Sequence, residues 1–174
     1  MKPLLIALLL APSAWAATTS AAKNMNTFEC LSPAGWSRRP NADGSLVLIG
    51  PADIHDVSAL ITVRYYPPGH PDFPSFEAFL ARQAAPPVFK SSPPTETLPG
   101  AVVAGRKARF FARNASEFVP PRSLNTKEVL MREEFAAVPA SKGFYLLTYY
   151  APKSLHQKNR RAFEAVLKSF KPKL

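Results

Sequence analysis

The side chains best suited to metal binding or nucleophilic chemistry are three histidines and one cysteine. His55 is followed by Asp56, and His70 stands two residues before Asp72. Neither pair has the helical i, i+4 spacing or the paired Cys/His spacing of zinc sites, and His156 stands apart from both. The spacing therefore predicts no metal site and no cofactor.

Nucleophilic chemistry finds little more support in the sequence. Cys30 shares a strand face with Phe28, which is typical of a buried structural thiol, and no base is positioned to activate it. Glu133 and Glu134 are neighbours on an expected strand, so their carboxylates point in opposite directions. Gly-x-Ser-x-Gly, His-Glu-x-x-His and glycine-rich phosphate-loop motifs do not occur. We therefore expect a protein that is not an enzyme, with a small hydrolase as the third hypothesis.

Alternate residues between 105 and 113 form the most distinctive pattern in the chain. On a strand, one face of this segment would carry three cations and a phenylalanine: Lys107, Arg109, Phe111 and Arg113. One interpretation is a solvated face or a charged edge strand that resists aggregation. The other is a docking strip, in which arginine pairs with carboxylate or phosphate groups and Phe111 is an apolar anchor. We predict these four residues as the binding site.

The charge of the whole chain agrees with a docking role. Its formal charge is +10, from 22 Lys and Arg residues against 12 Asp and Glu residues. Such an excess attracts phosphates, acidic proteins or anionic lipid without choosing among them. Whether Arg160 and Arg161 of a later helix join the strip depends on the fold, and both alternatives are open.

The first residues have the pattern of an export signal. Lys2 precedes an apolar run over residues 4–11, and Ala14-Trp15-Ala16 fits a cleavage site after Ala16. The run is too short for a membrane span, although an uncleaved anchor helix is the alternative. We expect a signal peptide at 1–16, a disordered leader at 17–27 and a single domain at 28–174. The protein would then be periplasmic or extracellular, where it would rarely meet nucleic acid.

The remaining pattern predicts an α+β fold. Gly143–Tyr150 is apolar on both strand faces, which predicts a central strand covered on both sides. Ala59–Tyr66 alternates as a strand, and amphipathic spacing predicts helices at about Ser75–Ala84 and Ser154–Phe170. Two helices are too few for βαβ crossovers, so the sheet should be mostly antiparallel. Further strands are expected at 28–31, 36–39, 45–49, 102–113 and 127–136, with loops at 85–100 and 114–125.

Several motifs, in this order, resemble the PsbP-like family, which includes an extrinsic subunit of photosystem II, a Ran-binding relative and small exported bacterial proteins. They are Pro33-Ala34-Gly35-Trp36, Gly50-Pro51, the strand 143–150 and the closing Lys168-Ser169-Phe170. The resemblance covers about residues 28–172. It implies an antiparallel sheet with helices on both faces, a PsbP-like α-β-α sandwich, and a non-enzymatic accessory or binding role.

Two functional hypotheses follow. The first is an exported accessory protein that docks an acidic protein partner through the basic strand and the proline-rich loops. The second is an envelope-associated protein that holds anionic lipid or glycan by charge and aromatic contacts, with peripheral contact to a membrane.

Overall fold

The computed structural model describes residues 27–86, 94–122 and 124–174. The predicted signal peptide and all of the predicted leader except Thr27 lie outside these residues. The described elements, in chain order, are β1 (Phe28–Glu29), β2 (Ser37–Pro40), β3 (Leu46–Ala52), β4 (Ser58–Tyr66), α1 (Phe76–Ala84), β5 (Glu96–Val103), β6 (Arg106–Val119), β7 (Lys127–Pro139), β8 (Phe144–Pro152), α2 (Lys153–Ser169) and β9 (Lys171–Pro172).

Strand β8 lies at the centre of a seven-stranded sheet. The order of strands is β2-β3-β4-β8-β7-β6-β5, and every neighbouring pair is antiparallel. Tyr145, Leu147 and Tyr149 are fully buried on one face of β8, and Phe144 is fully buried on the other. The prediction of a central strand covered on both sides is therefore confirmed.

The two helices cover opposite faces of this sheet, here named the α1 face and the α2 face. Helix α1 begins after Ser75, whose Oγ accepts a hydrogen bond from the Ala78 N–H at 3.1 Å, and it buries Phe79 against the sheet. Helix α2 buries an apolar stripe that includes Phe163 and Val166. The predicted α+β fold, with helices on both faces of an antiparallel sheet, is confirmed.

The prediction of one strand over 102–113 is wrong. This segment is a hairpin: Ala104 and Gly105, with φ of 50° and 76°, form a two-residue turn between β5 and β6. Such turns need positive φ at both positions, and alanine gives no sign of that requirement in the sequence. Strand β6 also continues to Val119, inside the expected loop at 114–125, because its whole second half pairs with β7. Residues 87–93 of the other expected loop lie outside the described residues.

A second sheet of two short strands joins β1 to β9. Phe28 pairs with Pro172, and the Lys173 N–H donates to the Thr27 carbonyl oxygen at 2.8 Å. The Tyr145 hydroxyl, at the start of β8, donates to the same oxygen at 2.7 Å. The Phe28 ring packs against Tyr145, so this two-stranded sheet is attached to the main core.

Candidate binding surface

Strand β6 brings the four predicted binding residues to the α1 face of the sheet. Phe111 contacts Phe79 of α1, and alternation along the strand places Lys107, Arg109 and Arg113 on the same side. The three cations are exposed, but Phe111 is only 5% exposed. The four residues thus lie on one face, but three of them are exposed cations and Phe111 is buried.

Phe111 is part of the core. Its ring stacks on Phe135 with centroids 5.5 Å apart and meets the edge of Phe79 at 6.2 Å. A side chain that anchors a partner must be reachable, so Phe111 is not the exposed anchor that was expected. Its burial depends on α1, a separate element about 30 residues earlier, which the local alternation of β6 does not reveal.

Arg113 is engaged within the chain. Its Nε donates to the carboxylate of Glu133, which lies directly opposite on β7, and its guanidinium lies 5.7 Å from the centre of the Phe135 ring. Lys107 and Arg109 have no ion-pair partner among the described residues. These two residues are the β6 cation pair, and they are the part of the predicted site that is free to meet another molecule.

Internal ion pairs show where the excess charge resides. In the part of the chain that the structure describes, six carboxylates are bound by arginine or lysine: Glu29, Asp43, Glu96, Glu133, Glu134 and Glu164. Asp43 also accepts hydrogen bonds from the Ser45 hydroxyl and amide, which together with Arg64 lower its pKa to about 2. The net positive charge is therefore presented by cations outside these pairs.

The helix arginines do not join the β6 cation pair, because α2 lies on the opposite face. Arg160 is held by two carboxylates, with its Nε 3.1 Å from Glu134 Oε2 and its Nη1 2.6 Å from Glu164 Oε1. The solvent side of α2 instead presents four exposed cations, here named the α2 outer face: Lys153, Lys158, Arg161 and Lys168.

A cleft of about 560 Å³ lies at the beginning of α2. Its walls come from the β3–β4 turn (52–55), the start of β7 (128–130) and the first turn of α2 (153–155). Ile54 is 93% exposed beside it and Leu130 is 52% exposed. The cleft cannot be recognised from the sequence, because its three segments are far apart along the chain and only the strand order brings them together.

A polar cluster is buried between the sheet and α2. The Glu134 carboxylate, paired with Arg160, lies 3.4 Å from Nε2 of His156, but Nε2 makes no hydrogen bond. The Tyr149 hydroxyl donates to the His156 carbonyl oxygen at 2.8 Å, and the two rings stack. Burial lowers the pKa of His156, although the Glu134 charge opposes this, and burial raises the pKa of Tyr149. The cluster fixes α2 to the sheet.

The other chemistry-bearing residues are dispersed. Within 27–86, 94–122 and 124–174, no three His, Cys, Asp or Glu side chains come together in a way that could hold a metal ion. Cys30 is buried, and burial raises the pKa of its thiol. Neither of the two described helices is long and apolar enough to cross a membrane.

No family model matches the sequence, and no curated protein matches it. Solved structures that it resembles include LpqN, involved in cell envelope biogenesis of Mycobacterium tuberculosis, at 15% identity and a TM-score of 0.45, over 82% of this chain and 81% of that one. Cyanobacterial PsbP from Synechocystis matches at 10% identity and a TM-score of 0.42, over 84% and 86%. A STAR-related lipid transfer protein from Xanthomonas axonopodis matches at 11% identity and a TM-score of 0.37, over 78% and 96%. A PsbP is thus among the structures that this chain resembles, as its motifs indicated.

Proposed function

We propose that the protein is an exported, non-catalytic binding protein that docks an acidic protein partner through the β6 cation pair. The observation that carries this proposal is that Lys107 and Arg109 stand exposed on one strand face without a carboxylate partner in the described part of the chain. Arg113, on the same face, has its charge offset by Glu133.

The surroundings of the pair fit a protein surface. Same-face residues two apart on a strand are separated by about 7 Å, so Lys107 and Arg109 match two carboxylates spaced similarly on a partner strand or helix. Arg109 offers two parallel N–H groups to one carboxylate. Val102, opposite Lys107 on β5 and 69% exposed, supplies the apolar contact that Phe111 does not.

The test is capture of the partner from the native envelope fraction after crosslinking, with washes at low and high salt. We expect one dominant acidic protein to remain with the wild-type protein at high salt, because a shaped interface is less sensitive to screening than charge alone. Lys107→Glu with Arg109→Glu should reduce its recovery by about tenfold or more, since like charges would then face the partner.

The matched control is Lys158→Glu with Arg161→Glu. It changes the net charge by the same amount on the opposite face of the sheet, and partner recovery should stay at the wild-type level. Equal loss in both double variants would mean that only net charge matters, and undiminished recovery in the β6 variant would remove Lys107 and Arg109 from the interface. Either result contradicts the proposal.

A further inference from the structure

The α2 outer face forms an extended row of positive charge. Its first and last cations, Lys153 and Lys168, are 15 residues apart, which corresponds to about 22 Å along a helix. The one acid on this side, Glu164, is bound by Arg160 of the same helix. A row of this length on a convex helix fits a broad anionic surface better than a single carboxylate.

Exposed apolar side chains stand beside the beginning of this row. Ile54 and Leu130 line one cleft together with Lys153, so they are contiguous with the α2 outer face. Phe118 is 59% exposed and lies opposite Glu128 of the neighbouring strand β7. Glu128 stands two residues before Leu130. Alternation along β6 and β7 places Phe118 and Leu130 on the α2 face of the sheet.

Two acids near this apolar group accept hydrogen bonds from within the chain. The Asp53 carboxylate accepts hydrogen bonds from the backbone N–H groups of His55 and Val57, at 2.8 and 3.1 Å. The Glu128 carboxylate accepts a hydrogen bond from the Ser116 hydroxyl at 2.6 Å. Asp56 and Glu128 are themselves exposed, so the surface here combines cations and apolar side chains with two acids.

We infer that the α2 outer face and its apolar neighbours dock the protein on the surface of an anionic phospholipid bilayer. Cations attract the protein to the charged headgroups, and protruding apolar side chains enter the interface between headgroups and acyl chains. In this arrangement α2 lies along the membrane, with Ile54, Phe118 and Leu130 inserted at its N-terminal end. The inference develops the lipid alternative, concerns the face opposite the β6 cation pair, and does not depend on the function proposed for that pair.

The test is co-sedimentation with vesicles of phosphatidylglycerol and phosphatidylcholine in equal amounts, compared with vesicles of phosphatidylcholine alone. The wild-type protein should sediment with the anionic vesicles only, and less of it should do so as salt is raised. Lys158→Glu with Arg161→Glu should lower the partition coefficient by about tenfold or more. Lys107→Glu with Arg109→Glu, the variant of equal charge, should bind vesicles as the wild type does.

A second variant separates a bilayer from any other polyanion. Ile54→Ser changes an almost fully exposed turn residue, so the fold should be kept, and thermal unfolding checks this. It should remove the fraction of vesicle binding that survives high salt while leaving binding to a soluble anionic polysaccharide unchanged. Binding to that polysaccharide as tight as to vesicles, with no effect of Ile54→Ser, would favour a glycan and overturn the inference. Equal loss of vesicle binding in both double variants, or no binding of the wild-type protein to anionic vesicles, would also overturn the inference.

Discussion

His156 should make the stability of the folded protein depend on pH in the weakly acidic range. Its pKa is lowered by burial and by the nearby charges of Arg132 and Arg160, while Glu134 opposes that shift. The unfolded chain, where the pKa is about 6.5, therefore takes up a proton more readily than the folded protein. Its contribution to stability is fully present above that value and is lost as the pH falls through it towards the lower pKa of the folded state.

The prediction is that His156→Gln makes the free energy of unfolding less dependent on pH between about 7.5 and 5.5. Urea denaturation at several pH values measures this slope. Lys158→Gln, two residues further along α2 on its solvent side, is the control for a change in the same helix and should keep the wild-type slope. An unchanged slope in His156→Gln would show that other groups carry the pH dependence.

Gly143 offers a second prediction at the level of one residue. Its φ is +72°, and an added Cβ would overlap the carbonyl oxygen of Tyr66. Gly69 has a similar φ of +75°, but a Cβ there would meet nothing within 4 Å. Gly69→Ala should cost about 1 kcal/mol of unfolding free energy for the left-handed backbone alone, and Gly143→Ala about 3 kcal/mol or more. If Gly69→Ala and Gly143→Ala lose the same unfolding free energy in denaturant titration, the overlap with the Tyr66 carbonyl oxygen is relieved without cost.

Among the elements, the sequence predicts best those whose pattern is complete within a few residues. The apolar residues of the Phe144–Tyr150 run directly predict a strand with two buried faces, and Phe163 and Val166 of α2 follow helical spacing. The β5–β6 hairpin cannot be predicted in this way, because it depends on a turn that begins with Ala104 and on pairing with β7. Propensity is a local quantity, and strand pairing between distant segments overrides it.

The Ala104–Gly105 turn is a position where one substitution should stabilise the hairpin. Asn-Gly is the favoured pair for a two-residue turn with positive φ at both positions, and alanine at the first position is strained. Ala104→Asn should therefore raise the free energy of unfolding by about 0.5–1 kcal/mol. Denaturant titration measures the gain, and Ala101→Asn, on the exposed part of β5, serves as control. A loss of stability in Ala104→Asn would contradict the assigned turn.

At the scale of the whole molecule, composition predicts the sign of the surface charge but not its place. Carboxylates such as Glu133 and Glu134 neutralise particular arginines, and this internal pairing leaves free cations on opposite faces of the sheet. The cleft beside Ile54 depends equally on three distant segments. Binding at the β6 cation pair and at the α2 outer face would not compete for space, so one molecule could hold a partner close to a membrane.

The pairing of β1 with β9 has a mechanical consequence. Thr27 and Lys173 are joined by a hydrogen bond, so the two ends of the described chain leave the protein side by side. Tension that pulls those ends apart acts across this short sheet and opens its hydrogen bonds one after another. The same pull also reaches β8 directly, because the Tyr145 hydroxyl donates to the Thr27 carbonyl oxygen and the Phe28 ring lies in the main core. A pull on either end is therefore shared between this short sheet and the core that carries both surfaces.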